Sequence, residues 1–100
     1  MNEIEIYKNN SKSIIITIDG LTSLSGYTVT LNVRKRLTDA NIIITSTGDT
    51  IDLTSTFNLL PEDTNIDVGS YDYDIVASNE TNNYTVMQSK LKIIDSVKYH

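Results

Sequence analysis

From Tyr71 to Ser78 the chain alternates. Tyr71, Tyr73, Ile75 and Ala77 fall on one side; Asp72, Asp74, Val76 and Ser78 fall on the other. A period of two means a strand with one face against a core and the other turned outward. Gly69 supplies the backbone freedom that a sharp corner needs. The lead-in Asp67-Val68-Gly69-Ser70-Tyr71 puts Tyr71 where its hydroxyl can reach back to the preceding loop. The rest of the chain has to supply sheet partners for this segment and a second layer to cover its apolar face.

The same signal recurs along the chain. Glu3 to Tyr7 alternates and predicts a first strand, and Lys8-Asn9-Asn10-Ser11 is turn chemistry. Ser13 to Ile18 predicts a second strand with Ile14, Ile16 and Ile18 inward and Ile15 outward. In Tyr27 to Arg34, Tyr27, Val29, Leu31 and Val33 share one face. Ile42 to Thr45 reads as a short strand, Thr47-Gly48-Asp49-Thr50 as a tight hairpin, and Ile51 to Leu60 as one strand bent near Ser55. Its core candidates are Ile51, Leu53, Phe57 and Leu59. Pro61 ends that strand because it cannot donate to a ladder. Asn79 to Asn83 predicts a hairpin loop, and Tyr84 to Ile94 a last strand with Leu91 and Ile93 inward. The period weakens at Gln88-Ser89, which predicts a bulge there. About seven short strands with turns every eight to twelve residues argue for an all-β sandwich, residues 1–94, followed by a tail, 95–100. A small β-barrel fits the same pattern. No helical periodicity exceeds one turn, and no internal repeat is present.

Composition narrows the function classes. One hundred residues suffice for one core. Cysteine is absent, so the fold must stand on packing without disulfides, which permits folding in a reducing cytoplasm. No apolar run approaches the length of a membrane-spanning helix, and the N-terminus lacks the pattern of a signal peptide. The net charge of −5 sets the chain against a nucleic-acid backbone.

Two resemblances follow from these residues. Asp67-Val68-Gly69-Ser70-Tyr71-Asp72-Tyr73 resembles the tyrosine-corner strand of immunoglobulin-like domains, although Tyr73 stands where antibody domains carry cysteine and the chain has no tryptophan. Most of the chain is similar to the small immunoglobulin-like modules of bacteriophage virion proteins, including the N-terminal domains of baseplate upper proteins and head-attached proteins. The carrying segments are Asp19-Gly20, Leu24 to Lys35, Leu60-Pro61-Glu62-Asp63-Thr64, Gly69 to Ile75 and Tyr84 to Ile93, in that order. Lys90 stands where that family often has glycine. The resemblance implies an immunoglobulin-like sandwich with a structural, non-enzymatic role, no catalytic residues and no cofactor. The implied role is a capsid auxiliary protein or an anchor for a head fibre, made in the host cytoplasm and present in many copies among other virion proteins. A tail or baseplate connector is the nearest alternative. A calcium-assisted carbohydrate-binding adhesion module is a second.

The residues offer little chemistry. The one histidine is His100, at the terminus, and no Gly-rich phosphate loop occurs. Asp72 and Asp74 share a strand face, which is the minimum for an acid and base pair, but a solvated face needs the same residues. Asp63-x-Asn65-x-Asp67 carries the alternate oxygen ligands of half a calcium loop, with Val68 in place of the required glycine and Asp74 in place of the bidentate glutamate. The same three residues are ordinary turn formers. Asn9, Asn79 and Asn83 head glycosylation-like triplets and read as turn residues.

Partner contacts are better supported. Ile14-Ile15-Ile16 and Ile42-Ile43-Ile44 are apolar on both faces, so Ile15 and Ile43 are left for a neighbour. Ile94, Val97 and Tyr99 extend that surface past the last strand. Arg34-Lys35-Arg36 is the one dense basic run and predicts a dock for an acidic neighbour, with a solvated strand end as the plainer reading. Tyr27, Tyr71, Tyr73 and Tyr84 are expected in the core, and Tyr7 and Tyr99 at interfaces.

Overall fold

The computed structural model describes residues 3–18, 26–36 and 38–95. Among them are eight strands and no helix: β1 (Ile4–Tyr7), β2 (Lys12–Thr17), β3 (Thr28–Arg34), β4 (Ile44–Thr47), β5 (Asp49–Ile51), β6 (Thr54–Leu59), β7 (Gly69–Ser78) and β8 (Asn83–Ile94). They form a five-stranded sheet in the order β1-β8-β7-β3-β4 and a three-stranded sheet in the order β2-β6-β5. β1 runs parallel to β8, and every other pairing is antiparallel.

The inward faces of both sheets share one core. Ile14, Phe57 and Leu59 from the small sheet meet Val29, Leu31, Val33, Tyr71, Tyr73, Ile75, Leu91 and Ile93 from the large one. The arrangement is an all-β, two-layer architecture compatible with a sandwich. The alternation at Tyr71, Tyr73, Ile75 and Ala77 is borne out, since all four are buried. Truncating a fully buried aromatic such as Phe57 to alanine would cost about 3–5 kcal/mol.

Several sequence expectations need correction. The strand expected over Ile42–Thr45 starts at Ile44 and runs to Thr47. Of that stretch only Ile44 is buried, opposite Val33, so the strand continues into polar residues along the sheet edge. Thr47-Gly48-Asp49-Thr50 is not a hairpin. The Gly48 N–H donates to Val29 O in the large sheet at 2.7 Å, and the next residue, Asp49, already pairs with Thr56 in the small sheet. Gly48 is therefore where the chain changes layer.

The single strand expected from Ile51 to Leu60 is instead two, β5 and β6, folded on each other around Asp52 and Leu53. Asp52 takes a positive φ of 56°, which a short aspartate side chain tolerates. Ile51 consequently points away from the core and is 71% exposed. The bulge lies at Val86, not at Gln88-Ser89: Ile75 pairs with Met87 and Val76 with Thr85, which leaves Val86 over. Tyr84 is exposed rather than core, and its ring lies 6.0 Å from that of half-buried Tyr27, tilted by 37°.

Candidate partner-binding surfaces

The corner before β7 is held by three side chains. The Tyr71 hydroxyl donates to Asp67 O at 2.6 Å. Thr64, fully buried, donates its hydroxyl to Asn10 O at 2.8 Å, which ties the loop after β6 to the crossing between β1 and β2. Lys8 reinforces the same junction by donating its Nζ to Ile66 O at 2.8 Å. These bonds fix the end of the large sheet, where its cations gather.

There the basic run expected from the sequence divides into three roles. Arg34 ion-pairs with Asp74 at 3.0 Å, and Asp74 also accepts from Asn32 at 3.4 Å. Lys35 lies over the Tyr71 ring, 5.1 Å from its centroid. Arg36 lines an open hollow of about 470 Å³ together with Lys35, Thr38, Ser70, Asp72 and Lys90. Lys90 pairs with Asp72 at 2.6 Å. Register explains the gathering, because Arg34, Asp72 and Lys90 stand opposite one another across β3, β7 and β8. The sequence alone singled out 34–36. The cross-strand partners Asp72 and Lys90 follow only once the β7–β8 hairpin is registered.

The second surface is the outer face of the small sheet. Register sets Ser13 beside Asn58, Ile15 beside Thr56 and Asp49, and Thr17 beside Thr54 and Ile51. Ser13 donates to Asn58 Oδ1 at 2.7 Å, and the Thr17 and Thr54 hydroxyls lie 3.4 Å apart. Ile15 and Ile51 are 65% and 71% exposed amid these short polar groups, with Asp49 the one charge on these three rows. Ile15 was legible as an outward isoleucine. Ile51 is not legible in this way, because the turn that separates β5 from β6 carries no glycine or proline.

The other expected partner residues are scattered. Ile43 is exposed just before β4, and its N–H donates to Val33 O at 2.7 Å. Ile94 is half-buried and gives its carbonyl to Lys8 N at 2.8 Å. Val97 and Tyr99 lie outside the described residues.

The acidic candidates are occupied in structural ways. Asp72 and Asp74, the possible acid and base pair, each hold a cation. Asp63 accepts from Leu60 N at 2.8 Å and so closes the turn after β6, and Asp67 contributes its carbonyl to Tyr71. Asn65 is exposed on the same connection. Among the described residues no group of three or more His, Cys, Asp or Glu is placed to hold a metal ion.

Two tyrosines have shifted acidities. Burial, and secondarily the nearby Asp67 carboxylate, pushes the Tyr71 hydroxyl above its ordinary value. Burial does the same for Tyr73, whose hydroxyl lies 3.6 Å from Met87 Sδ. Both are therefore neutral donors at physiological pH.

Compared with known proteins, the chain matches no family model and no curated protein.

Proposed function

We propose that this chain is a non-enzymatic, immunoglobulin-like structural module of a tailed-phage particle, acting through protein–protein contacts as a capsid auxiliary protein or head-fibre anchor. The immunoglobulin-like assignment is supported by strand order. A first strand runs parallel to the last, and the last two pair beside β3 and β4, while β2, β6 and β5 make the opposite layer. This resembles the variable-type layout, in which extra strands join the sheet that carries the closing hairpin. The corner tyrosine at the start of β7 adds to the likeness. Assignment to a virion rests on the ordered segments read from the sequence.

The observation that carries a contact role is the outer face of the small sheet. A chain with net charge −5 leaves two isoleucines there, 65% and 71% exposed, on rows that hold a single charge. Such a face is costly to leave in water and suits burial against another protein. Repeated over a symmetric shell, weak contacts of this kind add through multivalency.

Quantitative mass spectrometry of purified particles tests the assignment. A copy number near that of the shell protein is expected. A few copies per particle would move the chain to the tail or baseplate, and absence from particles would overturn the reading. Ile15→Lys with Ile51→Lys is expected to remove the chain from particles while leaving its own fold intact.

A further inference from the structure

We propose that the hollow beside the β3 terminus receives a carboxylate-bearing segment of a partner protein. This rests on the reading of the chain as a protein-binding module, but on a different sheet from the isoleucine face. The chain has eight Lys and Arg against thirteen Asp and Glu. Even so, Arg34, Lys35, Arg36, Lys90 and Lys92 converge on this end of the large sheet. Three of them are already committed: Arg34 to Asp74, Lys90 to Asp72 and Lys92 to Glu3 at 4.0 Å. Lys35 and Arg36 have no carboxylate within ion-pair distance among the described residues.

Their surroundings are built for an anion. Lys35 is restrained by the Tyr71 ring, so less side-chain freedom is lost when it binds. Arg36 offers a fork of donors that fits a carboxylate on two bonds. Thr38 and Ser70 add hydroxyl donors to the same hollow.

The occupant is a peptide carboxylate rather than a nucleic acid. A phosphate backbone needs a basic track, whereas Asp72 lies inside the hollow and Asp74 follows two residues along on the same face of β7. A few carboxylates placed against Lys35 and Arg36, beside the Asp72–Lys90 pair, match this mixed pattern, which sets register as well as attraction.

Fluorescence anisotropy with a labelled hexaglutamate peptide tests the proposal. Arg36→Glu is expected to weaken binding about tenfold, and Lys35→Glu similarly. Lys12→Glu changes net charge equally but lies on β2, and it is expected to bind within about twofold of the parent. Raising salt from about 0.05 M to about 0.5 M should weaken binding strongly. Arg36→Gln, with an unchanged circular dichroism melt, guards against misfolding and should lie between Arg36→Glu and the parent. Equal loss in Lys12→Glu, equal binding of hexaglutamine, or no hexaglutamate binding at all would overturn the proposal. So would tighter binding of a short single-stranded RNA. None of these outcomes depends on Ile15 or Ile51, so failure here is separable from failure of the particle assignment.

Discussion

The Tyr71 hydroxyl donates to the Asp67 carbonyl at 2.6 Å, across the corner at which the chain enters β7. The donor ring belongs to the core, so the bond ties the corner to the packed interior. Gly69, between the two residues, has a φ of 155°, which a side chain would strain. Tyr71→Phe keeps the ring and removes only the hydroxyl. It is expected to cost about 1 kcal/mol in urea unfolding, with an unchanged circular dichroism spectrum. A loss below about 0.3 kcal/mol would mean that the corner is fixed by backbone and packing alone.

Alkaline pH should expose the same tyrosine and its neighbour. The fold holds the protons of Tyr71 and Tyr73 more tightly than the ordinary value of 10.0, chiefly because their burial disfavours the phenolate. A raised folded-state value means that the unfolded chain releases these protons first. The stability they contribute is complete below pH 10 and is lost as pH climbs toward and through the folded values. Urea midpoints are therefore expected to fall above about pH 10, and to fall less in Tyr73→Phe. Absorbance titration should show part of the tyrosine signal appearing only with unfolding.

How far the sequence discloses this fold depends on which residues are asked. Period-two runs such as Tyr71–Ala77 and Val29–Val33 announce both strand and buried face, because every inward position is apolar. The corner bond was legible too, from the spacing of Asp67, Gly69 and Tyr71. The segment from 44 to 59 was not, because its edge strands are short and threonine-rich, so neither period dominates. Gly48 changes layer and Asp52 makes the turn, the reverse of what the glycine suggested. With the turn at Asp52, Ile51 faces outward, which the alternation of 51–59 does not disclose. The basic run at 34–36 could be seen in sequence, but its division among Asp74, Tyr71 and the hollow is a matter of cross-strand register.

Gly48 carries a steric consequence of the layer change. A Cβ there would lie 2.8 Å from Phe57 Cε1 and 3.2 Å from Ser55 Cβ, both on the fully buried side of β6. Gly48→Ala is thus expected to lower stability by about 1–3 kcal/mol, by displacing the Phe57 ring. Phe57→Leu alone should also destabilise, through lost volume. In the double variant the two costs should not add, because the shorter side chain vacates the space that the new methyl needs. Strict additivity in thermal melts would show that the glycine is required for another reason.

Arg34 and Asp74 form an ion pair 3.0 Å apart on the outer face of the large sheet, with both side chains largely covered. Asp74 is only 9% exposed, and its carboxylate oxygens accept from the guanidinium and from Asn32. Arg34→Met removes the cation and strands the carboxylate, at an expected cost of about 2–4 kcal/mol. Asp74→Leu alone strands the arginine, which can swing toward solvent, and should cost less. The double variant should recover much of the loss, since a covered ion pair replaced by apolar side chains of similar size is often close to neutral. A double-mutant cycle from urea unfolding would measure the coupling, expected at above about 1 kcal/mol. Coupling near zero would show that the ion pair contributes nothing net to stability.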